Sequence, residues 1–113
     1  MIALMAVVSC PVAVVRAPIT VVWQMLSETS RYHTWIDGQI VSIDPPGPAA
    51  AGQMVLMRTR ALGRWWGVRF DLGEVNAREH RLAIDVRLPL GIVNHEVITC
   101  QSLSPTETRV GFN

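Results

Sequence analysis

The sequence predicts an α+β domain in which a curved antiparallel sheet of about seven strands grips two short helices. Three observations point there. A single stretch, Ala17 to Asp37, carries strong helical periodicity. Nearly everything after it reads as strand, much of it alternating apolar and polar residues. Compact turn signals recur along that half at short, regular intervals, which is the mark of a meander. The element order is strand, helix, helix, then about six strands, so the helices must gather against one part of the sheet. A sheet of that size coils, and helices on its concave side leave a natural pocket.

In the helical stretch, Ile19, Val22, Trp23 and Leu26 fall at i, i+3, i+4 and i+7, one face of a helix. Pro18 suits its first turn, where the missing N–H costs nothing and φ is already helical. Ser27 to Ser30 supplies oxygens that stop this helix and start a second short one, with Tyr32 and Trp35 on its apolar side. Large aromatics such as Trp23 and Trp35 ordinarily serve as packing mass.

The strands follow in order. Gln39 to Ile43 is a short β-prone run, ended by the breaker cluster Asp44-Pro45-Pro46-Gly47-Pro48. Met54 to Ala61 is closed by Gly63. In Trp65 to Val75, the residues Trp66, Val68, Phe70 and Leu72 alternate against Trp65, Gly67, Arg69 and Asp71, which marks a half-buried strand. Arg81 to Leu88 puts Leu82, Ile84, Val86 and Leu88 on one face. Pro89-Leu90-Gly91 turns the chain into Ile92 to Gln101, and Thr108 to Phe112 is the last strand. The first strand falls in the apolar N-terminal run, with Cys10-Pro11 as an irregularity or edge position.

Composition excludes several functions. At 113 residues, half of them apolar, the chain forms one domain, residues 1–113, and is not disordered. Its net charge of +1 comes from scattered arginines interleaved with nine acids, so no basic stripe points to nucleic acid. Cys10 and Cys100 sit in no metal-binding or redox spacing, and no cofactor motif is present; buried thiols are expected, with a disulfide between the two left open. The N-terminal run lacks a basic region and is too short to span a bilayer, and Val7-Val8-Ser9-Cys10 matches a lipoprotein cleavage box only weakly. The expectation is a cytoplasmic protein with no stable membrane insertion.

No nucleophile elbow, zinc-helix motif or phosphate loop is present. His33 lies between aromatics, at a pocket mouth or on an exposed helix face, and His80 lies in a polar, solvated turn. The group Asn94-His95-Glu96 carries the catalytic candidates. On a strand, His95 points to one face and Glu96 to the other, so the two cannot act as adjacent acid and base. Periodicity leaves both registers open: an inward His95 titrates near neutrality, and an inward Glu96 has its pKa raised by desolvation. Arg58 and Arg69 either pair with Asp71 or Asp85 across the sheet or turn inward to anchor an anionic ligand group.

Arg16-Ala17-Pro18-Ile19 leading into Val22-Trp23, then Tyr32-His33-Thr34-Trp35, a Pro-rich loop, Gly52 opening a strand, and Glu74-Val75 together resemble the SRPBCC superfamily. This is the helix-grip fold of START-like lipid-binding domains and polyketide cyclase/dehydrase-like proteins. The resemblance implies a pocket for a small hydrophobic ligand: a lipid, an isoprenoid or a polyketide-like aromatic. Contacts are expected from Trp35, Trp66, Phe70, Ile84 and Val97, with His95 or Arg58 orienting the polar end. An enzyme of the cyclase/dehydrase type, with His95 or Glu96 as its acid–base group, is the alternative. Family members usually continue into a long C-terminal helix that closes the cavity, whereas this sequence runs to Gly111-Phe112-Asn113 without one. The expectation is therefore an apolar face, including Phe70, Leu82 and Ile84, with no lid of its own. A homodimer over that face, an interaction module, a truncated chain, or cover by the first apolar residues would account for it, the dimer being favoured.

Overall fold

The computed structural model describes residues 12–112. Strand β1 (Val12–Val15) leads into helix α1 (Ile19–Ser27) and a 3₁₀ helix (Thr29–Thr34). Six strands follow: β2 (Gln39–Asp44), β3 (Met54–Ala61), β4 (Arg64–Asn76), β5 (Arg81–Arg87), β6 (Val93–Ser104) and β7 (Glu107–Phe112). They form one seven-stranded sheet in the order β1-β7-β6-β5-β4-β3-β2, antiparallel at every pairing. The meander runs from β2 to β7, and β1 closes onto β7. The α+β class and the order of elements along the chain are those expected from the sequence, with element ends shifted by a few residues; the pairing of β1 with β7 is read from the structure.

The sheet bends where its ladder slips. Between the pairs Leu72–Ile84 and Val75–Leu82, Gly73 and Glu74 oppose the single residue Ala83. A bulge of this kind adds twist and curls the strand. Ile40 to Ser42 on β2 slips likewise against β3. Both irregularities curve the sheet around the helices.

Helix α1 lies against β6 and β7, and the 3₁₀ helix lies against α1 and β2. Val22 and Leu26 are buried, and Ile19 and Trp23 pack beside them, as the i, i+3, i+4, i+7 pattern requires. Tyr32 is fully buried and donates its hydroxyl hydrogen to the Leu26 carbonyl at 2.7 Å, which locks the 3₁₀ helix under α1. Tyr32 also meets Trp35 and Phe70 edge-on, at centroid distances of 5.0 and 6.3 Å. Thr108 ties β7 to the helix entry through the Ala17 carbonyl at 2.8 Å. The core joins these residues to the inward faces of the strands: Val55, Met57, Val68, Phe70, Leu72, Leu82, Ile84, Val86, Ile98, Cys100, Val110 and Phe112.

His80 departs from the sequence reading, whereas His33 takes one of its two alternatives, the exposed helix face. His80 adopts φ 53° and meets the edge of Trp23 at 5.5 Å, so it packs against the helix rather than standing free in solvent. His33 is exposed on the 3₁₀ helix and lines no pocket. Cys100 is buried with a free thiol. Cys10, its proposed disulfide, and the Val7–Cys10 stretch lie outside the described residues. No helix among the described residues is long and apolar enough to cross a membrane.

Candidate functional site

The helices cover the β6–β7 part of the concave face and leave the β3–β4 part open. What remains is a groove of about 460 Å³. Its floor is Met57, Thr59 and Ala61 of β3 with Trp66, Val68 and Phe70 of β4. Ile36 and Asp37, just past the 3₁₀ helix, form one lip, and Leu88, Pro89 and Leu90 form the other. The period of two along β3 and β4 puts these side chains together, since alternate residues share a face. Gly38 lets the first lip lie close to β3: a Cβ there would stand 2.8 Å from the Arg58 carbonyl oxygen. The groove matches a small-molecule site in size and in its apolar lining.

Beside the groove lies a smaller cavity of about 10 Å³, with Ile36 and Phe70 lining both. Trp35, Ile84, Val86, Glu96 and Ile98 complete its wall. Glu96 is 6% exposed, and its Oε1 has no hydrogen-bond partner among the described residues. Desolvation by these apolar neighbours raises its pKa above the ordinary carboxylate value. The indole N–H of Trp35 and the side-chain amide nitrogen of Asn94 are likewise buried without partners. Asn94 pairs with Val86 in the ladder, and Glu96 with Ile84, one step further along β6. The Trp35 indole N–H and the Glu96 carboxyl group thus stand unpaired on residues that line the smaller cavity, with Asn94 two residues before Glu96 on the same face of β6. Buried polar groups are normally paired, so these atoms are open to hydrogen bonding by a polar group placed beside them.

Of the residues singled out from the sequence as ligand-binding or catalytic, Trp35, Trp66, Phe70, Ile84 and Glu96 border these two cavities. The other three do not. The β5–β6 register sends His95 to the convex face, where its Nδ1 lies 2.6 Å from Asp85. Val97 shares that face, opposite Ala83. Arg58 is also outside: it holds the Gln39 side-chain oxygen at 2.9 and 3.1 Å and lies 4.5 Å from the Trp65 ring centroid. Arg69 stays outside as well, bonded to Asp71 at 2.8 Å, and Arg87 approaches the same carboxylate at 2.7 Å. The Arg69 hydrogen bond, with help from Arg87, holds the Asp71 pKa below its ordinary value. No cluster of metal-ligating side chains occurs among the described residues.

The fold has close counterparts among solved structures. The crystal structure of DynU16, a protein of the dynemicin biosynthetic locus, superposes with a TM-score of 0.62 at 19% identity. That match covers 92% of this chain and 36% of DynU16, so the chain spans about a third of that protein. A point mutant of Thalictrum norcoclaurine synthase, in complex with a transition-state analogue, superposes with a TM-score of 0.52 at 12% identity. It covers 93% of this chain and 77% of the synthase. The fold is a helix grip. At these identities the likeness is one of architecture alone. No protein-family model matches the sequence, and neither does any curated protein.

Sequence reasoning missed the roles of Ile36, Met57 and Leu88 in the groove. Their only sequence signal is an apolar residue in phase with an inward face, which core residues share. It also missed Asn94 as a donor beside Glu96, since the strand reading placed it only as one member of an undecided register.

Proposed function

We propose that this chain is an SRPBCC-type helix-grip domain that binds a small hydrophobic ligand, of lipid, isoprenoid or polyketide-like aromatic type, in the β3–β4 groove. The carrying observation is the groove itself: about 460 Å³, open to solvent and walled by Ile36, Met57, Trp66, Val68, Phe70 and Leu88. Empty, such a surface leaves apolar side chains in water, and a ligand that covers it gains roughly 25 cal/mol per Å². The polar end of the ligand lies toward the smaller cavity, which has room for about one polar atom, where Trp35 donates a hydrogen bond and Glu96 accepts or donates one. A hydroxyl or carbonyl group fits that set.

Glu96 favours a second reading, the cyclase/dehydrase-like enzyme. A carboxylate made more basic by desolvation can take a proton from carbon beside a carbonyl and, as the carboxylic acid so formed, give it to oxygen, which assists enolisation or the departure of a hydroxyl group as water. The groove then holds the reacting chain in a productive conformation.

Native mass spectrometry of protein purified without denaturation tests these readings. A monomer carrying extra mass in the range of a lipid or polyketide supports the groove assignment. A ligand-free dimer supports instead the remaining alternative, a homodimer covering the open sheet face. An added substrate analogue that changes mass by loss of water supports the enzyme.

A further inference from the structure

The open end of the groove carries two turns that each hold a Leu-Gly pair at positive φ. Leu62-Gly63 joins β3 to β4, with both residues at positive φ, 52° and 75°. Leu90-Gly91 lies between β5 and β6, with φ 68° and 75°. The first is a two-residue hairpin turn, which with both φ values positive favours Asn-Gly; the second lies in a 3₁₀ turn over Pro89–Gly91, and in both a bulky side chain in the left-handed region is strained. Here each position holds a leucine, and the two are 93% and 89% exposed. Both line the groove mouth. A large apolar residue that is both strained and almost fully in water, twice at one end of the molecule, gains nothing from the fold.

The same end is basic. Arg58, Arg60 and Arg64 flank the first turn, and among the described residues none of them meets a carboxylate. Arg58 and Arg60 lie 4.5 and 5.7 Å from the ring centroid of Trp65, which is itself 42% exposed, and Arg64 lies 4.5 Å from that of Trp66. Ile92 and Val93, beside the second turn, are exposed too. Asp37 is the acid at this mouth. Apolar tips, an indole and a collar of guanidinium groups that meet no carboxylate among the described residues match the layered chemistry of an anionic lipid interface: apolar chains below, amphipathic zone between, negative headgroups above.

We propose that the groove mouth docks reversibly on an anionic lipid surface, with Leu62 and Leu90 entering the interface and Arg58, Arg60 and Arg64 meeting the headgroups. The groove then opens toward the bilayer, and a hydrophobic ligand passes between the two without crossing water. Docking does not depend on the ligand assignment, because the tips and the collar are present in the empty protein.

Co-sedimentation of the purified, ligand-free chain with vesicles tests this. The lipids are phosphatidylcholine alone, or phosphatidylcholine mixed with phosphatidylglycerol. Binding is expected with the mixed vesicles, absent with phosphatidylcholine alone, and weakened by salt. Each arginine near the surface contributes about fivefold, so R60Q/R64Q lowers the partition coefficient about 25-fold. L62N/L90N lowers it at least about tenfold, since two apolar side chains no longer leave water. Asn suits both turns, so this variant keeps its circular dichroism and melting temperature, which separates lost docking from lost folding. Failure to bind the mixed vesicles overturns the proposal and leaves the tips as a contact for another protein. Equal binding to both vesicle types overturns it as well. Anionic binding that L62N/L90N retains reduces the effect to surface charge and also overturns it.

Discussion

Glu96 stands opposite Ile84 across the β5–β6 ladder, and its neighbour His95 stands opposite Asp85. This single register assigns the two polar groups to different worlds. Glu96 enters the concave face among Ile84, Val86, Phe70 and Ile98, and His95 meets the Asp85 carboxylate on the convex face. A slip of one residue would exchange them, because side chains alternate with period two. The buried aliphatic face fixes the choice: Ile98 and Cys100 on β6 must point inward, and Glu96 follows them.

Glu96 therefore shapes the pH dependence of stability. Its folded-state pKa lies above the unfolded value, so folding favours the protonated form. The stability this protonation contributes is present below the ordinary carboxylate range and is lost as pH rises through the raised folded value. Glu96→Leu should match the wild type in acid and exceed it at neutral pH. A gain on the order of 1–3 kcal/mol is expected there, the cost of an unpartnered buried polar group. Urea denaturation of both proteins across that pH range checks this, and parallel curves would contradict it.

Tyr32 joins the 3₁₀ helix to α1 through one buried hydroxyl, and its ring packs edge-on against Phe70 of β4. Tyr32→Phe keeps the ring contacts with Trp35 and Phe70 but strands the Leu26 carbonyl. A loss of about 1–3 kcal/mol in urea denaturation is expected. A neutral result would mean that the carbonyl finds another donor.

The alternation of Trp66, Val68, Phe70 and Leu72 was legible in the sequence because four apolar residues in phase leave one choice of inward face. The helix was legible for the same reason at its own period. Around Asn94-His95-Glu96, polar residues occupy both phases, so the register is decided by Ile98 and Cys100 further along and by the partner strand. The arginine collar was hidden for a different reason. Arg58, Arg60 and Arg64 look scattered along the chain, yet the β3–β4 hairpin folds them back onto one end. Leu-Gly reads as a plain turn until the backbone shows that the leucine, too, has positive φ.

Gly38 is required by contact rather than by its backbone angles. Gly38→Ala would drive a methyl group to 2.8 Å from the Arg58 carbonyl oxygen and push the Ile36–Asp37 lip off β3. The expected cost is about 1–3 kcal/mol, typical of overpacking, with an unchanged urea m-value. An alanine variant of wild-type stability would show that the lip moves freely.

Cys100 should behave as an inert thiol. Burial raises its pKa to about 11, so little thiolate exists at neutral pH, and the side chain is out of reach of solvent. Peptide mapping after iodoacetamide treatment should find Cys100 unmodified in native protein at neutral pH and fully alkylated in urea. Rapid modification in the native state would mean that the β6–β7 half of the core opens readily.

The central claim is that the β3–β4 groove is a binding site, and methyl NMR of the labelled chain titrated with 2-naphthol tests it most directly. The account predicts saturable shifts at Ile36, Met57, Val68 and Leu88, with the Trp35 indole N–H and Glu96 environment responding as the hydroxyl reaches the smaller cavity. Shifts confined to convex-face methyls such as Val97, or none at all, would contradict it.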